Sequence, residues 1–251
     1  MPADETSATL DTLVDVGGHR LHLVVHRGER PVTVLFEAGG GADAGAWGTV
    51  PERLAARSSA TVVAYDRAGL GRSELGPEGL SPADEIDDVR AAMRRLSLPQ
   101  TTIVVGHSYG AMLALAHAER YPDAVSGLVL VDPMNPAFAS EESDMLAATV
   151  PNLPESPAPR DLAVQRMARS MDSLTAALLD VEPRLRVPMI VVSAGRDWWG
   201  SPEVDATWKA SHVELASPAD RRRVVSEASD HDIPNEDPDA VVDAILALLD
   251  G

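Results

Sequence analysis

Gly106-His107-Ser108-Tyr109-Gly110 holds a serine between two glycines. The β-branched run Thr101-Thr102-Ile103-Val104-Val105 precedes it, and the helix-like run Ala111-Met112-Leu113-Ala114-Leu115-Ala116-His117-Ala118 follows. That order reads strand, sharp turn, helix, with a hydroxyl at the turn, which is the context of a nucleophile elbow. Without side chains at 106 and 110, strand and helix can approach closely around a strained serine. A serine hydroxyl is a weak nucleophile near neutral pH and needs a base. His231, in a loop after the last predicted strand, is the best candidate. His107 is expected to face away across the turn, and His117 and His212 read as helix residues. The base in turn needs an acid to fix its tautomer and stabilise its charged form. Asp132 and Asp197 both follow predicted strands, and both preserve the chain order serine, aspartate, histidine. The residues by themselves leave that choice open.

The elements that would position these groups alternate. Strands are predicted at 31–36, 61–65, 101–105, 127–131, 188–193 and 222–227, with helices at 47–57, 81–96, 111–121, 202–215 and 238–249. Such alternation implies a mostly parallel sheet with helices on both faces, the strand C-termini lining one active crevice. Segments 10–16 and 19–26 around Gly17-Gly18 read as an edge hairpin, with His19, His22 and His26 as surface strand residues. Ser81-Pro82-Ala83-Asp84-Glu85 has an N-cap serine, a first-turn proline and early acids, a strong helix start.

Glu37-Ala38-Gly39-Gly40-Gly41 follows a buried strand but lacks the ending of a phosphate-binding P-loop. Its backbone N–H groups instead suit a substrate oxygen, with Gly39 the main donor and Gly40 second. Asp66-Arg67 reads as a structural pair holding its loop. Residues 133–187 break the alternation with prolines and helix-like stretches near 140–149 and 161–180. They read as a small helical lid inserted in a single domain spanning 1–251. Lids exclude water and supply substrate contacts. Met134, the lid methionines, Trp198 and Trp199 are candidates to shape the pocket, or simply to pack the core.

Bulk properties narrow the class. The chain has 251 residues and 45% hydrophobic content, enough for one large core. It has no cysteine, which excludes disulfides, thiolate metal sites and a cysteine nucleophile, and Lys209 is its only lysine. A formal charge of -18 disfavours nucleic acid and anionic membrane surfaces as partners. No apolar run reaches membrane-spanning length, and the acidic first residues are unlike a secretory leader, so a cytoplasmic protein is expected.

Taken together, Glu37-Ala38-Gly39-Gly40-Gly41, the segment from Tyr65 to Ser73 (Tyr-Asp-Arg-Ala-Gly-Leu-Gly-Arg-Ser), Gly106-His107-Ser108-Tyr109-Gly110, Leu128-Val129-Leu130-Val131-Asp132 and His231 resemble the α/β-hydrolase-fold superfamily over nearly the whole chain. The resemblance implies Ser108 as nucleophile, His231 as base, and the N–H groups of Gly39 and Tyr109 as the oxyanion hole. Many members have His-Gly where this chain has Glu37-Ala38. Most place the acid at the position of Asp197, whereas some branches place it 24 positions after the nucleophile, as Asp132 stands here. The resemblance to those branches favours Asp132, with Asp197 as the alternative. It implies a serine hydrolase acting on a small-molecule ester or lactone without metal or organic cofactor. Aminopeptidase, thioesterase, carbon–carbon hydrolase or cofactor-free haloperoxidase chemistry are the alternatives, as is a hydrolase-like small-molecule receptor.

Overall fold

The computed structural model describes residues 9–148, 150 and 152–251. Its strands are β1 (Thr9–Asp15), β2 (Arg20–His26), β3 (Thr33–Glu37), β4 (Thr61–Tyr65), β5 (Thr102–His107), β6 (Val125–Val131), β7 (Met189–Ala194) and β8 (Arg221–Ser226). They form one sheet in the order β1-β2-β4-β3-β5-β6-β7-β8. β1 and β2 are the predicted hairpin, and β2 also runs antiparallel to β4. Every later pairing is parallel. β3, β4 and β5 carry almost no polar alternation because helices cover both of their faces.

The helices are α1 (Val50–Arg57), α2 (Pro82–Arg95), α3 (Tyr109–Arg120), α4 (Pro136–Glu141), α5 (Ser143–Ala148), α6 (Pro159–Val181), α7 (Pro202–Leu215), α8 (Ile233–Glu236) and α9 (Pro238–Leu249). One face of the sheet packs Phe36, Val105 and Val192 against Val50 and Leu54 of α1 and Val242 and Ile245 of α9. The opposite face meets α2, α3 and α7 through Met93, Met112, Leu113 and Trp208. α3 is buried on nearly every side, which explains its apolar composition. Ser81 caps α2 in a full capping box with Asp84.

Three expectations need correction. The helix expected at 47–57 is a 3-10 turn over Ala44–Trp47 followed by α1. Gly48 separates them at φ 53°, where a Cβ would lie 2.3 Å from Asn235 Oδ1. The segment between β6 and β7 holds three α-helices, α4 to α6, rather than two. His19, His22 and His26 are buried rather than superficial. The Asp66–Ser73 loop covers His22: Asp66 accepts from His22 Nδ1 at 2.8 Å, and Ser73 Oγ accepts from the His22 N–H. His19 instead faces Asp88 of α2, and His26 faces Thr9 of β1. Among the described residues no helix is long and apolar enough to cross a membrane.

Candidate active site

The chain leaves β3 for β4 on one side and returns to β5 on the other, so the strand order reverses between β3 and β5. Open parallel sheets bind ligands outside the strand C-termini at such a switch point. The Gly39–Gly41 loop leaves β3 there, and Ser108 leaves β5.

Ser108 has φ 53° and ψ −121°, a left-handed conformation that a serine adopts only at a cost of about 1–3 kcal/mol. Its surroundings enforce the turn. The Ser108 N–H donates to Val131 O, and Ser108 O accepts from the Met134 N–H. Close packing also dictates the flanking glycines. A Cβ on Gly110 would fall 2.1 Å from Glu37 O, and one on Gly106 would fall 2.4 Å from Gly110 O.

Asp132 leaves β6 at φ 37°, directly beside the serine turn because His107 pairs with Val131. Its carboxylate is buried and fully engaged. Oδ1 accepts from the Ala194 N–H at 2.9 Å. Oδ2 accepts from Trp208 Nε1 at 3.0 Å and from His231 Nδ1 at 2.7 Å. Burial opposes its ionisation, but the bond from His231, the neighbouring His212 and the Ala194 N–H outweigh it and hold the carboxyl below the ordinary range. His212 Nδ1 lies 3.8 Å from Asp132 Oδ1. Burial nonetheless pushes that imidazole down to about 4, so near neutral pH it is an uncharged ring whose Nε2–H donates to Pro133 O.

His231 is bounded on three sides. Nδ1 faces Asp132, while one ring face stacks on Trp198 with centroids 3.9 Å apart and planes 9° from parallel. The other face meets His107 at 4.6 Å. This corrects the expectation that His107 faces away: its Nε2–H donates to His231 O at 2.8 Å. Among the described residues no hydrogen bond joins Ser108 Oγ to His231. Such contacts often tighten only when substrate arrives.

Asp197 is not brought to this cluster. Its side chain is 64% exposed and pairs with Lys209. Arg196 pairs instead with Asp230 and Glu236.

The Gly39 and Gly40 N–H groups donate to no described residue, and the Tyr109 N–H belongs to the unpaired first turn of α3. Arg67 fixes the glycine loop from behind, donating to Ala38 O and Gly39 O at 2.5 Å each. Sequence reasoning saw Arg67 only as a brace for its own loop; its reach across to β3 has no local signature. Glu37 is wholly buried below the loop, accepting from Tyr65 Oη at 2.8 Å and from His117 Nε2 at 3.0 Å. It anchors the loop and does not face the serine cavity.

A cavity of about 410 Å³ opens over Ser108, Tyr109 and Gly40, with Met134, Leu146, Met167 and Met171 among its walls. Met134 is among the residues lining this cavity. Trp198 is not; its indole is committed to His231.

A parallel-centred sheet, an elbow serine after its fifth strand and an aspartate–histidine pair on the same rim define an α/β hydrolase fold. The α/β hydrolase fold family profile matches residues 32–224, and the chain belongs to that family. The abhydrolase domain-containing protein abhd-5.2 of Caenorhabditis elegans is 35% identical over 120 residues, covering 44% of this chain and 26% of that protein. The 2-(acetamidomethylene)succinate hydrolase of Mesorhizobium japonicum is 32% identical over 137 residues, covering 55% of this chain and 47% of that enzyme. The chain therefore spans between about a quarter and a half of these relatives' lengths. Among solved structures, the enol-lactonase of Burkholderia xenovorans LB400 superposes with a TM-score of 0.70 at 22% identity, covering 96% of this chain and 100% of that one. A thioesterase domain from the curacin biosynthetic pathway superposes with a TM-score of 0.67 at 23% identity, covering 96% and 99%. At those identities the likeness is one of fold.

Proposed function

We propose that this chain is a serine hydrolase of small carboxylic esters or lactones, with Ser108 as nucleophile, His231 as general base and Asp132 as the orienting acid. The observation that carries the reading is the 2.7 Å bond from His231 Nδ1 to a buried Asp132 carboxylate on the rim that holds the elbow serine. That bond leaves Nε2 as the free, basic nitrogen. Ser108 Oγ attacks the carbonyl carbon as its proton passes to His231 Nε2. The negative charge developing on the carbonyl oxygen is met by the N–H groups of Gly39 and Tyr109, with Gly40 beside them. The intermediate collapses, and the leaving oxygen takes the proton from Nε2. Water, activated by the same nitrogen, then releases the acid and restores the serine. For a lactone the leaving oxygen stays tethered, and water releases a hydroxy acid.

The methionine-walled cavity suits a compact, largely apolar acyl group. The α4–α6 insert acts as its lid, Met167 closing over Gly40, where a Cβ would lie 3.3 Å from the methionine sulfur. The name of one relative, a 2-(acetamidomethylene)succinate hydrolase, is consistent with hydrolysis of a small molecule. The scheme requires no metal or organic cofactor, and its partner is the small-molecule substrate alone. The test is hydrolysis of a series of short and medium p-nitrophenyl esters and simple lactones by the wild type and Ser108→Ala. Turnover by the wild type that falls at least about 10³-fold in Ser108→Ala is expected. Equal turnover by both would refute the assignment.

A further inference from the structure

The Trp198 indole is not spare core packing. It lies on His231 with ring planes 9° from parallel, and its own backbone is pinned: the N–H groups of Trp198 and Trp199 both donate to Asp205 Oδ1, at 3.0 and 3.1 Å. Asp205 is itself buried in the first turn of α7. Lys209, one turn later on α7, donates to Gly195 O at 2.8 Å and holds the start of the same loop. These contacts fix the main chain that presents the indole to the imidazole.

We propose that Trp198 is a positioning residue for His231, one that holds the imidazole in line with Asp132 and stabilises the positive charge the ring carries in the transition state. The proposal rests on the serine-hydrolase reading above. Its physical basis is the indole quadrupole, whose negative π face attracts a cation lying over it and is nearly indifferent to the neutral ring. A general base acts from its neutral imidazole form. Once the Ser108 proton has moved to Nε2, the ring is an imidazolium with Nδ1–H still bonded to Asp132. The stack therefore favours the transition state over the ground state, which is the condition for raising kcat rather than lowering KM.

The groups facing the ring from other elements are compatible with this role. Asp132 from β6 supplies the opposite charge. His107 from β5 covers the second face, where burial and the charge of His231 push its imidazole down to about 4, leaving it neutral and unrepulsive near pH 7. His212 on α7 is likewise neutral at that pH. Trp208 meets the ring edge-on at 5.7 Å, and Asp230, next in the chain, is engaged by Arg196.

The test compares Trp198→Phe, Trp198→Leu and, as a packing control, Trp199→Leu. Trp199 shares the aromatic cluster with Phe138, Trp198 and Trp208. Two readouts are needed: the pH profile of p-nitrophenyl ester hydrolysis, and NMR titration of 15N-histidine-labelled protein with the His231 signals assigned by their loss in His231→Gln. Trp198→Leu keeps the ring covered but removes the π face. It is expected to lower kcat about two- to five-fold with KM little changed, and to move both the acid limb and the ring titration to lower pH by about half a pH unit. Trp198→Phe should recover most of the loss, and Trp199→Leu should move neither titration. If Trp198→Leu does not fold, site-specific incorporation of 5-fluorotryptophan at position 198, which weakens that π face at nearly constant shape and leaves Trp208 unchanged, should shift the ring titration in the same direction. An unmoved His231 titration in folded Trp198→Leu or in the fluorinated protein would overturn the proposal, as would a change confined to KM. The NMR arm reads the stack even if no ester is turned over, so failure of the hydrolase reading is distinguishable from failure of this one.

Discussion

Replacing Asp132 by asparagine changes one atom's chemistry in a fully specified hydrogen-bond set. The carboxylate accepts three donors: the Ala194 N–H on Oδ1, and Trp208 Nε1–H and His231 Nδ1–H on Oδ2. An asparagine has one acceptor oxygen and one NH2 group. If the oxygen stays on Ala194, the NH2 opposes two N–H groups; His231 must then move its proton to Nε2, and the free base disappears. If the amide flips, its NH2 opposes the Ala194 N–H, and the negative charge that stabilises the imidazolium is still gone. Unit charges at the observed separation of 2.7 Å attract by about 6 kcal/mol at an effective dielectric of about 20. Charge delocalisation over both groups reduces that to about two-thirds, and each 1.4 kcal/mol is tenfold, so kcat should fall about 10³- to 10⁴-fold. Asp197→Asn removes only an exposed partner of Lys209 and should change kcat less than about two-fold. The assay is steady-state ester hydrolysis by both variants, with circular dichroism and thermal melts as the check on folding. Retention of more than a tenth of wild-type turnover in folded Asp132→Asn would refute the argument, and so would collapse in Asp197→Asn.

Two predictions concern stability. His107 and His212 are held down to about 4 by burial, against an ordinary value of 6.5. Between those values the unfolded chain binds protons that the folded chain does not. Stability is therefore complete above about pH 6.5 and falls as the pH drops toward 4, each ring adding up to about 1.4 kcal/mol per pH unit. Urea unfolding at stepped pH should show this slope, and His212→Gln, which can keep a donor on Pro133 O, should flatten it; an equal slope in the variant would contradict the assignment. Glu37→Ala should cost about 3 kcal/mol of unfolding free energy, because it strands the buried Tyr65 hydroxyl and the buried His117 N–H without their acceptor. Tyr65→Phe should cost about 1 kcal/mol, and comparable losses from the two changes would show that Glu37 is not the hub.

Much of the scaffold was legible because local chemistry and global fold agree. α7 and α9 run over the anticipated residues, 202–215 and 238–249, and each opens with a capping side chain followed by proline: Ser201-Pro202 and Asp237-Pro238. The elbow was legible for a related reason: a β-branched strand run gives way to a helix-forming run across two glycines that have no room for a side chain. The misses are contacts between segments remote in sequence. The buried His22 of β2 reads as a surface residue because its cover, the Asp66–Ser73 loop, comes some 40 to 50 positions later. Trp198 and Trp199 look interchangeable as a dipeptide; only the path of the 229–232 loop decides which indole meets His231.

Asp132 and Asp197 show how packing separates two carboxylates that spacing treats alike. Asp132 and Asp197 each follow a parallel strand, so both stand near the same rim, and chain order admits either. Three features separate them. β6 is the immediate neighbour of β5, whereas β7 lies one strand further out, so only Asp132 is adjacent to the serine turn. The Ala194 N–H and the Trp208 indole, from β7 and α7, then converge on Asp132, so that a buried carboxylate has the donors it needs to stay charged. Asp197 has Lys209 and open solvent, which satisfy it where it stands. A carboxylate can stay charged beside a histidine in the interior only if the fold supplies donors to it, and here those donors lie 62 and 76 positions away in the chain.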